Sequence, residues 1–146
     1  FNKKILNHKN QLSFEKNKNF LPLQIQAYER IILFLERIDP TNMIIRTHNK
    51  KMNAKALHRE LLKIIREEYI HNMSQQIYIQ PNSWKSLLNA KEETIQIINV
   101  AINKLDENAT GLDLSAKIFE SISKSKISPT EKARNSIVKE FQISLK

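Results

Sequence analysis

A single glycine in 146 residues leaves this chain almost no means of making the positive-φ turns that join β-hairpins. Glycine-rich phosphate loops are excluded on the same ground. Only four prolines interrupt the sequence, and Leu, Ile, Lys, Glu, Gln and Ala dominate it, so an all-helical fold is expected. The abundance of Ile, Asn and Lys also fits an AT-rich genome and says little about function.

At 40% hydrophobic and 27% charged residues, the chain fits one globular domain with a core of moderate size. The absence of cysteine removes disulfides, thiolate metal sites and a cysteine nucleophile. The longest apolar run, Ile31 to Leu35, is far short of the roughly 20 residues of a membrane span.

The net charge of +9 is uneven. Residues 1–20 carry Lys3, Lys4, Lys9, Lys16 and Lys18 against Glu15 alone, five positive charges against one negative, or +4. The sequence therefore divides into a basic N-terminal arm, 1–20, and a helical domain, 21–146. Such an arm is either solvated or attracted to anions: lipid headgroups, at roughly 1 kcal/mol per lysine near the surface, or nucleic-acid phosphates.

Five helices are legible, and they predict an all-α antiparallel bundle. The first begins at Pro22, suited to a first helical turn, buries Ile25, Ala27, Tyr28, Ile31, Ile32, Phe34, Leu35 and Ile38, and ends at Asp39-Pro40. Residues 40–53 read as a connection, and further helices are predicted over about 54–77 and 82–105. In the latter, Trp84, Leu88, Lys91, Ile95, Ile98, Ile102 and Leu105 recur at alternating spacings of four and three, the pattern of a shallow-angle seam. Thr110 and Asp113 cap a fourth helix to about Lys124, and Ser128-Pro129-Thr130-Glu131 opens a fifth carrying Ile137, Val138, Phe141 and Leu145.

One stretch departs from ordinary amphipathicity. The apolar face of Leu57, Leu61, Ile64 and Ile65 is continued by Glu68, His71, Asn72, Gln75 and Gln76. At roughly 100° per residue these five fall within about 140° of one another and overlap the apolar arc. A buried, hydrogen-bonded polar network is expected, with His71 as a neutral imidazole bonded through both nitrogens. On this reading, leucine at His71 or Gln75 would cost roughly 1–3 kcal/mol. Lys91, the one charge in its seam, is expected to meet Glu68.

No catalytic or cofactor signature stands out. Glu68-x-x-His71 has the spacing of carboxylate-bridged di-iron bundles, but those need a second such pair, and this chain has none. Ser74, three residues beyond His71 on a helix, lacks the strained turn and oxyanion donors of a nucleophile. Lys55, Arg59, Lys63 and Arg66 fall within roughly 80° on the outer side of their helix, a stripe suited to phosphate or acidic surfaces. Glu60 and Glu67 interrupt its surroundings, and Tyr28, Phe34, Trp84 and Phe141 sit in core patterns rather than free for base stacking.

Two runs carry a family resemblance. Leu23-Gln24-Ile25-Gln26-Ala27-Tyr28-Glu29-Arg30 continued by Leu33-Phe34-Leu35-Glu36-Arg37-Ile38, then Glu68-x-x-His71-Asn72-x-x-Gln75-Gln76-Ile77-Tyr78 with Trp84 and Lys91, resemble an uncharacterised family of small Bacteroidetes proteins. The resemblance implies an N-terminal membrane helix, a basic juxtamembrane stretch and a cytoplasmic helical domain. It therefore implies a tether preceding Phe1, with Lys3 and Lys4 on the cytoplasmic side of the inner membrane. Read on its own, the first run places Arg30 and Arg37 to clamp the polar end of the second helix, as structure or as a docking patch for a protein partner. The expected function is a non-enzymatic scaffold without cofactor or metal, accessory to a larger membrane complex and near an anionic lipid surface. The alternative is a basic protein bound to nucleic acid or the ribosome.

Overall fold

Each helix after the first starts at a residue or proline suited to the task. Asp39, Asn53, Thr110 and Ser128 each accept a backbone N–H of the turn they open, and Pro40, Pro81 and Pro129 occupy first-turn positions where no N–H is needed. The computed structural model describes the backbone of residues 2–146 and the side chains of residues 18–146. Its α-helices are α1 (Asn2–Ile38), α2 (Pro40–Thr47), α3 (Ala54–Asn72), α4 (Pro81–Asn103), α5 (Gly111–Lys124) and α6 (Pro129–Ser144), with a 3-10 helix (Met73–Tyr78) between α3 and α4. No strand occurs among the described residues.

Among the described residues, the expected five helices become six α-helices. The supposed connection after Pro40 contains α2, which Asp39 caps and which buries Met43 and Ile44. The first helix does not start at Pro22 but runs through it from Asn2. Proline inside a helix forfeits one backbone hydrogen bond, yet its fixed φ is helical, so the ring ends a helix only when the preceding turn cannot give way. The side chains of Lys3, Lys4 and Lys9 lie outside the described residues.

The core is continuous. Ile31, Phe34, Leu35 and Ile38 of α1 join Leu57, Leu61 and Ile65 of α3, Leu87 and Ile98 of α4, and Leu114 and Ile118 of α5, all essentially inaccessible. α4 packs against α1, α3, α5 and α6, most extensively against α6. Its deepest line is Ser83, Leu87, Ala90, Thr94, Ile98 and Ala101, whereas Leu88, Ile95, Ile102 and Leu105 of the expected seam are only partly buried. Ser83 and Ala90 face α6: the Ser83 hydroxyl donates to Glu140, and Ala90 shares a crevice with Ala133. Their small size lets the two backbones approach, a contribution invisible to a search for large apolar residues.

Polar ties fasten the ends. Ser128 and Thr130 donate to Asp39 Oδ1 at 3.1 and 2.7 Å, and Arg134 Nη1 donates to Glu36 at 2.7 Å, so the start of α6 is held to the α1–α2 corner. His58 and Asn99 bond at 2.8 Å between α3 and α4. The cap residues of α3 and α5 pair through an isolated antiparallel bridge, Asn53 to Thr110, with Ala54 N donating to Ala109 O and Gly111 N to Met52 O, each at 3.0 Å.

That bridge explains the single glycine. A Cβ at Gly111 would lie 2.8 Å from His48 Cδ2 and 3.0 Å from the Met52 carbonyl. Gly111→Ala should destabilise the fold by about 1–3 kcal/mol in urea unfolding, because the backbone carbonyl cannot move aside without breaking the bridge. An unchanged midpoint would mean that the His48 ring and the bridge relax together.

Candidate functional site

On α1, Gln26, Glu29, Arg30, Leu33 and Arg37 recur at spacings of three and four and share one face. The last turn of α3 brings Glu68, His71 and Asn72 opposite, and the two helices enclose an open cleft of about 620 Å³ floored by Phe34. Arg37 Nε donates to Glu68 Oε1 at 2.6 Å, with the Glu68 side chain only 16% exposed. Asn72 Nδ2 donates to the Glu68 carbonyl at 2.8 Å, closing the end of its own helix. Arg30 and His71 are exposed, and Arg30 has no ion pair among the described residues. Leu33, on the rim between the two arginines, is 57% exposed.

The cleft gathers five of the residues singled out in the sequence: Arg30, Arg37, Glu68, His71 and Asn72. Its character differs from expectation. Only Asn72 is buried; Glu68 and Gln75 are half-buried, and His71 and Gln76 reach solvent. The enclosed network is therefore corrected to an open polar cleft. For Gln75 and Gln76 the cause is the switch to 3-10 geometry after Asn72, where each residue advances about 120° rather than 100° and carries them off the α3 face, while His71, still on α3, faces the open cleft. Neither lines the cleft. With His71 exposed, His71→Leu should shift stability by no more than about 0.5 kcal/mol, as a thermal melt will show.

Lys91 does not meet Glu68. Its ammonium lies 4.1 Å from the centroid of the Tyr69 ring and 3.5 Å from Glu92. Neighbouring helical residues point about 100° apart, so Glu68 turns to α1 while Tyr69 turns to α4. The Tyr69 ring also stands 6.3 Å from both Phe34 and Trp84, so an aromatic wall runs from the cleft floor at Phe34 to the ring that carries Lys91.

Lys55, Arg59, Lys63 and Arg66 are all exposed along α3, without an ion pair among the described residues. Away from the cleft, on α5, the hydrogen bond from Lys124 and then the nearby Lys117 charge hold the Glu120 carboxyl below the usual glutamate range. Among the described residues, no group of three or more metal-ligating side chains converges. No described helix is long and apolar enough to cross a membrane.

Two features escaped the sequence reading. One is the Asp39–Ser128–Thr130 cluster, whose signal was a pair of Asp-Pro and Ser-Pro steps, each readable only as a local cap. The other is an apolar groove of about 470 Å³ between α1 and α6, where Ile25, Ile32, Val138 and Leu145, expected in the core, are at least partly accessible.

Residues 1–144 match a family described as a family of unknown function (DUF7935). Neither a curated protein nor a solved structure matches the chain.

Proposed function

We propose that this chain, which belongs to the DUF7935 family, is a non-enzymatic docking domain: an accessory subunit of a membrane complex, held at the cytoplasmic face of the inner membrane by a segment ahead of Phe1. The observation that carries the proposal is the α1–α3 cleft. There, exposed Leu33 lies between Arg30 and Arg37, with His71 opposite. An accessible aliphatic side chain flanked by two arginines, with Glu29 and Glu68 on the same cleft, suits a peptide segment that buries one apolar residue, presents carbonyls or a carboxylate to the arginines and turns N–H groups to the glutamates. In this reading the helices form an antiparallel bundle, and the relatives are the small membrane-tethered Bacteroidetes proteins that the two sequence runs resemble.

The test is purification of the tagged protein in mild detergent at low and high salt, beside an Arg30→Glu/Leu33→Asp variant. Both side chains are exposed, so the variant should fold with stability changed by about 0.5 kcal/mol or less per site. The expected result is a stoichiometric membrane-protein partner that survives high salt with the native chain and is lost from the variant. A partner retained equally by both would remove the cleft from this role.

A second reading rests on the Lys55, Arg59, Lys63 and Arg66 face, which suits a polyanion such as ribosomal RNA. Binding of that kind weakens steeply with salt, whereas a packed protein interface largely persists. Ribosomal proteins or RNA recovered only at low salt would favour it.

A further inference from the structure

Exposed apolar side chains concentrate at one end of the domain. On α1, Phe20, Leu21, Leu23 and Ile25 are all exposed within six consecutive residues. At about 100° per residue they spread over roughly 200° of the helix surface, more than one packed neighbour covers. The rest of the fold meets them with further apolar groups. The Phe20 ring stands 5.5 Å from that of Tyr78, next to Ile77, which is 75% exposed. Leu21 shares a recess with Leu145, which is 54% exposed and links that recess to the α1–α6 groove.

Lysines edge this end among the described side chains, although the exposed Glu29 lines the adjoining α1–α6 groove. Lys18 precedes Phe20 by two residues, and Lys146 follows Leu145; both are exposed. A patch that is apolar at its centre and edged by long cationic side chains has the chemistry of the headgroup boundary, where hydrocarbon meets phosphate. Protein interfaces, by contrast, are depleted in lysine.

We propose that this end of the domain, centred on Leu23, Ile77 and Leu145, rests in the headgroup region of a bilayer containing anionic lipid, with Lys18 and Lys146 over the phosphates. The inference rests on the membrane placement given above but not on the cleft, which lies further along α1.

The test is co-sedimentation of the 1–146 chain with vesicles of phosphatidylcholine alone and of phosphatidylcholine mixed with phosphatidylglycerol. Binding is expected only to the mixed vesicles. An Ile77→Asp/Leu145→Asp variant should bind them about tenfold or more weakly, and Leu23→Asp should do so independently. Thermal melts check that each variant remains folded, and Ile45→Asp, an exposed apolar position on α2 beyond the other end of α1, should bind like the native chain. No binding to the anionic vesicles, or equal binding by the aspartate variants, would overturn the inference. So would a dimer in sedimentation equilibrium that Ile77→Asp/Leu145→Asp dissolves, since the patch would then join two copies. A partner still captured through the cleft while vesicle binding fails would leave the docking reading standing and remove only the lipid contact.

Discussion

Truncating Phe34 to alanine should cost about 3–5 kcal/mol of folding free energy, the largest effect expected of any single change near the cleft. Phe34 is 1% exposed, and its ring meets Tyr69 edge-on. Removing it opens a void between α1 and α3 and withdraws the aromatic support from the wall that carries Lys91. Leu33, its neighbour in sequence, is the internal control: because it is largely exposed, Leu33→Ala should cost about 0.5 kcal/mol or less. Urea unfolding of the two variants should separate them clearly. Equal losses would mean that Leu33 is covered in solution or that Phe34 is not anchored as described.

Replacing Asp39 with alanine should be the next most damaging change, at about 2–4 kcal/mol. One carboxylate caps α2 through the Asn42 N–H and accepts from the hydroxyls of Ser128 and Thr130. Thr130 is only 2% exposed, so its hydroxyl would be left with little access to water. A double-mutant cycle with Thr130→Val measures the link directly. Strong coupling is expected, because once the hydroxyl is gone the loss of its acceptor costs less. Additive effects would reduce Asp39 to a local cap.

Much of this architecture was legible because it depends on near neighbours in sequence. Ser128-Pro129-Thr130-Glu131 and Thr110 with Asp113 marked the starts of α6 and α5, since a cap and the turn it closes lie within four residues. Asp39-Pro40 marked the end of α1 but concealed α2, because a proline that cannot continue one helix is well suited to begin another. The seam of α4 was read from its large residues, while its contact with α6 includes Ser83 and Ala90, whose value lies in their smallness.

The cleft was half legible for a related reason. Glu68, His71 and Asn72 follow the α-helical period and line one cleft. Gln75 and Gln76 were added by extending that period past the point where the backbone tightens. Arg37 reaches Glu68 at the polar end of α3, in the manner of the arginine clamp expected from the first run, while the packing of α1 on α3 is what selects Arg37 rather than Arg30 for the bond. The pairing of Lys91 with Glu68 failed on direction: two polar outliers on apolar stripes need not share a side of the tyrosine between them.

The bridge between Asn53 and Thr110 bears on the order in which the chain assembles. Its partners are 57 positions apart, and closing a loop of that size costs about 3–4 kcal/mol of chain entropy before any contact repays it. Two backbone hydrogen bonds, each contributing about 1 kcal/mol net, cannot meet that cost alone. The closure becomes favourable once α3 has packed against α4 and brought the N-termini of α3 and α5 near each other. The bridge is thus a latch rather than a nucleus, and strengthening it would slow the opening of the folded protein more than it would hasten folding.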